Sequence, residues 1–157
     1  MYPNVVERLR GTPARLEDLM RNASPELLTR RDGDKWSMQE HAGHLLDLEQ
    51  LGMERLDDYE AGRETLHAAD LENRKTHEAN HNSKTIEQIL SDFRRERTEF
   101  VRRLDEYDEA FVQKTSLHPR LRMQVRVLDL CFFIAEHDDH HLSRISELIR
   151  LYGKPVV

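Results

Sequence analysis

The stretch QVRVLDLCFFIAEHDDHHLSRISELIRL, residues 124–151, decides the fold. Its apolar positions include Val127, Leu128, Leu130, Cys131, Phe133, Ile134, Leu142, Ile145, Leu148 and Ile149. Gly153 and then Pro155 supply a stop, so the run reads as one long helix. Leu130, Ile134, His137, His141, Ile145 and Leu148 recur at steps of three and four, which traces a single helix face. Two histidines therefore stand where apolar residues belong. Buried imidazoles need partners for their nitrogens. Two of them at i and i+4 can hold one metal ion or one catalytic proton; the alternative is a pair of core histidines bonded to carbonyls or carboxylates.

Three more helical patterns lie upstream. The first runs from about Tyr2 to Ala23 on Val6, Leu9, Leu16, Leu19 and Met20, and Pro13 inside it predicts a kink or a fresh start. Ser24-Pro25 ends it. The second begins at Trp36-Ser37, where Ser37 and Glu40 fit a capping box, and continues on Ala42, Leu45, Leu48, Leu51 and Leu56 to about Gly62. The third follows Ser83 or Thr85 as cap and uses Ile86, Ile89, Leu90, Phe93, Phe100 and Leu104, ending near Tyr107. Thr115 to Met123 is the one candidate for a short extended piece.

Four such helices predict an all-α four-helix bundle, one domain over residues 1–157. The connection from Arg63 to Asn82 is long for an antiparallel hairpin. It can run back along a helix of ~37 Å. That crossover makes the second and third helices parallel, so the chain runs up, down, down, up.

Composition agrees. Charged residues make up 34% and aromatics 6%, with few Gly and Pro, as suits helices with one narrow apolar stripe each. The net charge of -6 comes from interleaved acids and bases without a basic block, which speaks against nucleic acid. No long apolar run predicts a membrane span, and Met1-Tyr2-Pro3-Asn4 does not open a signal peptide. Cys131 is the only cysteine, which excludes an internal disulfide. The cytoplasm is the expected location.

A third imidazole comes from the second helix. His44 shares a side with Asp47 and Leu48, at a depth compatible with His137 and His141 if the second and fourth helices are antiparallel. Three neutral imidazoles suit Zn, Ni or Fe(II) and leave positions for water or substrate.

The motifs carry a resemblance. Trp36-Ser37-Met38-Gln39-Glu40-His41-Ala42-Gly43-His44-Leu45 resembles the W-S-x-x-E-x-x-x-H-L signature of the DinB-like/YfiT-type superfamily, and Ala135-Glu136-His137-Asp138-Asp139-His140-His141 resembles its later H-x-x-x-H signature. This is the metal-binding bundle group, not the polymerase that shares the DinB name. The resemblance covers roughly residues 24 to 150. It implies an up-down-down-up bundle, often a homodimer, with a divalent metal on His44, His137 and His141. Several relatives are thiol-dependent S-transferases or isomerases using bacillithiol, mycothiol or glutathione.

Other residues are read as follows. His41 is expected to be an exposed or half-buried neighbour, with a partner bonded to a ligand imidazole as the alternative, and His140 to point away from the metal. His77 and His81 lie in a polar crossover and are expected to be solvated, with a lid over the metal as the sharper alternative. His118, before Pro119-Arg120-Leu121-Arg122, is expected in a solvated loop, though the arginines there suit a carboxylate or phosphate. Asp47, Glu49, Glu136, Asp138 and Asp139 are candidates to orient a ligand imidazole. Cys131 reads as a core residue, Trp36 as a packing anchor, and no protein nucleophile stands out.

The leading expectation is a metal-dependent enzyme that transfers a low-molecular-weight thiol to a small electrophilic substrate. A hydrolase is the nearest variant. The rival from another class is a non-catalytic dimeric stress protein binding metal or a small molecule. A fourth protein ligand, such as His118 or Asp47, marks a structural site, and an open position facing a pocket marks a catalytic one.

Overall fold

The computed structural model describes residues 2–153; Pro155 of the expected helix stop lies outside them. Four long helices carry the fold: α1 (Tyr2–Met20), α3 (Met38–Glu60), α5 (Ile86–Asp105) and α7 (Val127–Tyr152). The connections hold three short helices, α2 (Pro25–Thr29), α4 (Arg74–Glu78) and α6 (Glu109–Val112), and one 3-10 turn at His81–Ser83. The expected extended piece is a hairpin of β1 (Thr115–His118) and β2 (Met123–Arg126), with Thr115 opposite Arg126 and His118 opposite Met123. Gln124 therefore belongs to β2, and α7 starts three residues later than its apolar pattern suggests.

Side-chain pairs across the bundle give the helix directions. Tyr2 reaches the Leu104 carbonyl, while Glu17 pairs with Arg94, so α1 and α5 are antiparallel. Glu49 pairs with Arg97 and Glu60 with Arg103, so α3 and α5 are parallel. His41 meets His141 and His44 meets His137, so α3 and α7 are antiparallel. The chain is an up-down-down-up four-helix bundle, and the crossover from Arg63 to Asn82 is what permits it.

Local chemistry sets the helix ends. Ser37 and Glu40 form the expected capping box: Ser37 Oγ accepts from the Glu40 N–H at 3.1 Å, and Glu40 Oε2 accepts from the Ser37 N–H at 2.9 Å. Thr85, not Ser83, caps α5. Gly153 caps α7 and donates its N–H to the Ile149 carbonyl at 2.7 Å. Ser24 does not end α1, which already stops at Met20; it caps α2 by accepting from the Leu27 N–H.

The fresh start that Pro13 allowed does not occur: α1 is continuous through it. Proline removes the N–H that would bond the carbonyl four residues back, here Leu9. Arg97 Nη1 from α5 donates to that Leu9 oxygen at 3.3 Å. A tertiary donor satisfies the acceptor that proline leaves free.

Two apolar clusters fill the bundle. One holds Leu9, Leu56, Phe100 and Ala135, and the other Leu16, Leu45, Phe93 and Leu142. Between them each long helix contributes a buried polar residue: Thr12, Glu49, Arg97 and Asp138. Arg97 is the hub. Its Nη2 donates to Glu49 Oε1 at 2.6 Å and its Nη1 to Asp138 Oδ2 at 2.5 Å. Asp138 Oδ2 also accepts from the Thr12 hydroxyl at 2.8 Å.

Candidate metal centre

The histidines gather at one side of this polar belt. The antiparallel packing of α3 on α7 brings His44, His137 and His141 together, with one ring nitrogen of each within 4.8 Å of the others. Nε2 of His137 lies 3.3 Å from Nε2 of His44 and 3.1 Å from Nε2 of His141. Nitrogens bound tetrahedrally at 2.0–2.1 Å would stand about 3.3 Å apart. The donor set therefore fits a small divalent ion.

Protonation favours the same use. Burial, reinforced for His44 by His137 and for His41 by Arg144 and His140, pulls both rings down to about 4. Burial likewise lowers His137 and His141. All four are neutral at pH 7 and keep a lone pair to offer.

Partners outside the triad decide which nitrogen that is. Thr76, on α4, donates its hydroxyl proton to Asp47 Oδ2 at 2.9 Å. Its oxygen therefore accepts from His44 Nδ1 at 3.0 Å. This fixes the tautomer with Nε2 free and facing the other two rings. Asp47 also accepts from His81 Nε2 at 2.8 Å. Burial pushes the Asp47 carboxyl up, but its bonds to His81 and Thr76 hold it below the usual range. On the opposite side His41 Nδ1 lies 2.8 Å from His141 Nδ1.

Several expectations need correction. His41 is buried and bonded to His141, because the inward face of α3 rotates it under α7. His81 is buried rather than solvated, because Gln39 Nε2 bonds the His81 and Lys84 carbonyls and draws the crossover onto α3. Gly43 leaves the space that the His81 ring fills. His77 is exposed, as expected, with its ring centroid 5.8 Å from that of Trp36. Trp36 does more than anchor the helix start: it walls the triad, 4.7 Å from His44 and stacked 6.1 Å from His141.

Of the five candidate carboxylates only Asp47 faces the histidines. Glu49 and Asp138 turn to Arg97, and Glu136 and Asp139 reach Arg8 on α1. His140 is exposed and Cys131 is buried in the core, as expected. Burial pushes the Cys131 thiol up to about 12, which leaves it inert.

A family model described as the DinB superfamily matches residues 8–145. The chain belongs to the DinB superfamily. Among solved structures, YfiT from Bacillus subtilis, described as a probable metal-dependent hydrolase with an unusual four-helix bundle topology, is 17% identical. The likeness covers 97% of this chain and 87% of that one, with a TM-score of 0.86. A mycothiol-dependent maleylpyruvate isomerase is 10% identical with a TM-score of 0.74, over 92% of this chain and 60% of that longer one. No curated protein sequence matches the chain.

On this DinB superfamily scaffold the triad opens to one side. A cavity of about 470 Å³ is lined by His44 and His137 together with Leu48, Arg55, His118 and Phe133. His118 belongs to this cavity rather than to a solvated loop, because it ends β1, whose Leu117 backbone bonds Glu64 and Leu66 of the crossover. Among the described residues no fourth protein group joins the three nitrogens, and Asp47 is engaged with Thr76 and His81. Thr76 and Arg55 were not legible as site residues, since neither sits in a motif. No helix of the described residues is long and apolar enough to cross a membrane.

Proposed function

We propose that the chain is a divalent-metal enzyme whose ion sits on His44, His137 and His141. In this reading it transfers a low-molecular-weight thiol to a small electrophile. The observation that carries the metal reading is the convergence of three neutral imidazoles, with no fourth protein ligand among the described residues, two of them on the wall of a cavity large enough for a small molecule. A divalent ion there would lower the pKa of a thiol that binds it and polarise an electrophile.

The chain's own residues do the rest. Thr76 and Asp47 hold the His44 tautomer, and His41 holds His141. Trp36 covers the triad on one side. No side chain of the cavity is placed to act as nucleophile: Cys131 is buried and its thiol is held protonated. The nucleophile must come from outside, which favours a co-substrate. Hydrolysis, with water as that nucleophile, is the second reading, supported by the near full-length likeness to YfiT.

Metal analysis of the purified protein tests the centre. Assays with bacillithiol, mycothiol and glutathione against a generic electrophile then test the reaction, with and without chelator. A protein that carries metal but transfers none of these thiols, while hydrolysing ester or amide substrates, decides for the second reading.

A further inference from the structure

Two arginines are buried inside this bundle, and they differ in one respect. Arg97 is 1% exposed and has two carboxylates and a carbonyl around its guanidinium. Arg55, on α3, is 3% exposed and has none of these carboxylate partners. Its Nε donates to the His67 carbonyl at 3.0 Å, and its Nη2 finds no hydrogen-bond partner among the described residues. The carboxylate whose charge acts on it is bonded elsewhere: Asp58 accepts from the His67 N–H and Nδ1 and pairs with Arg63. Burial alone lowers Arg55 from its usual range, against weaker opposite pulls from Tyr59 and Asp58. A buried guanidinium with an unbonded Nη and no carboxylate hydrogen-bonded to it is costly, and proteins rarely keep one without use.

Arg55 lines the cavity that opens on His44 and His137, and also a second, smaller one that reaches His137 and Arg97. Two further donors line the larger cavity from the hairpin, the neutral His118 ring and the Arg120 guanidinium. Leu121 donates its N–H to His118 Nδ1 at 3.2 Å, so the neutral ring carries its proton on Nε2 as a donor. Opposite them stands one carboxylate, Asp70, already bonded to the Lys75 N–H. Donors thus outnumber acceptors in this part of a chain whose net charge is -6. Three exposed apolar side chains, Leu71, Leu121 and Phe133, also line it.

We infer that Arg55 is the anion anchor of this cavity, and that the ligand is a small organic carboxylate with an apolar body. A guanidinium with its Nε already bonded offers its Nη groups to the two oxygens of one carboxylate. One buried positive charge balances one such group, and the apolar rim takes the hydrocarbon. Arg55 follows His44 by eleven residues, roughly 16 Å of helix rise. Its side chain leans back toward the helix N-terminus, which shortens that span. The carboxylate is thus held at a distance from the triad, leaving another part of the ligand to face His44 and His137. The placement of the reacting end rests on the metal reading above; the role of Arg55 does not.

The test is calorimetric titration of the purified protein with phenyl-substituted acids of one to four methylenes and with their amides, metal content being measured on the same samples. At least one acid should bind tenfold or more tightly than its amide. Arg55→Met should erase that preference while leaving metal content unchanged and the melting temperature no lower than wild type. Arg55→Gln, which keeps a donor for the His67 carbonyl, should behave alike and serves if the Met variant does not fold. Equal binding of acids and amides by the wild type overturns the inference, as does a preference that survives both substitutions. The preference should persist in metal-stripped protein. If it disappears on stripping alone, the carboxylate sits on the metal, and Arg55 is not the anchor while the metal reading stands. A protein that never takes up metal but keeps an Arg55-dependent preference overturns the metal reading alone.

Discussion

The hydroxyl of Thr76 lies 3.0 Å from Nδ1 of His44, so a residue of the crossover selects which nitrogen of an α3 imidazole is free. Thr76→Val removes the acceptor and keeps the shape. Metal affinity should drop 10- to 100-fold, the usual effect of losing a group that orients a ligand, while Thr76→Ser should stay near wild type. Competition titration with a chromophoric chelator measures both, and equal affinities for Val and Thr would remove this role.

His137→Ala and His141→Ala should each abolish stoichiometric metal binding while preserving a helical circular dichroism spectrum, because neither ring belongs to an apolar cluster of the core. Undiminished metal content in either variant rules out the three-histidine centre.

At Gly43 ordinary propensity is reversed. Alanine in a helix interior normally gains about 1 kcal/mol over glycine. Here a Cβ would run into the His81 ring, so Gly43→Ala should instead destabilise by about 1–3 kcal/mol. In a His81→Ala background the same change should be close to neutral or favourable. Urea unfolding of the four proteins reads the coupling directly.

Arg97→Met leaves Glu49 and Asp138 buried without their shared cation. The expected loss is about 3–5 kcal/mol, and much of it should return when both carboxylates are replaced by apolar residues as well. Loss of Arg97 also frees the Leu9 carbonyl opposite Pro13. Amide exchange in α1 should therefore rise around that turn more than elsewhere in the helix.

Stability of the metal-free protein should fall with acid below about pH 6.5. His41 and His44 are held down to about 4 in the fold, whereas the unfolded chain has ordinary values near 6.5. Between these values the unfolded state binds protons that the native state refuses. Stability is therefore complete above the upper value and declines as pH drops, by at most about 1.4 kcal/mol per pH unit for each ring. Chemical unfolding at pH 7.0 and 5.0 checks the sign; equal midpoints would contradict it.

Residues 124–151 illustrate how far a stripe can be read. The 3.6-residue period of Leu130, Ile134, Ile145 and Leu148 placed His137 and His141 inward, and the structure places them there. Ser37 and Glu40 announced the start of α3 because a capping box is local in sequence. The Pro13 signal was equally local, yet α1 runs on through it: a donor 84 residues further along the chain satisfies the carbonyl it frees.

By itself, then, the sequence determined the helices, their inward faces, the crossover that turns two of them parallel, and the three imidazoles of the candidate centre. The first two follow from periodicity and from bonds within one turn, the crossover from the length of its connection, and the joining of His44 to His137 and His141 from the resemblance its motifs carry. Tertiary structure alone decided that Thr76 and His81 close on α3, that Asp47 rather than Asp138 serves the histidines, and that Arg55 is buried with its Nη2 unbonded. The reason is physical: hydrogen bonds and ion pairs act within about 3 Å and 4 Å. Distances of that kind across helices are set by packing, which no spacing along one helix encodes.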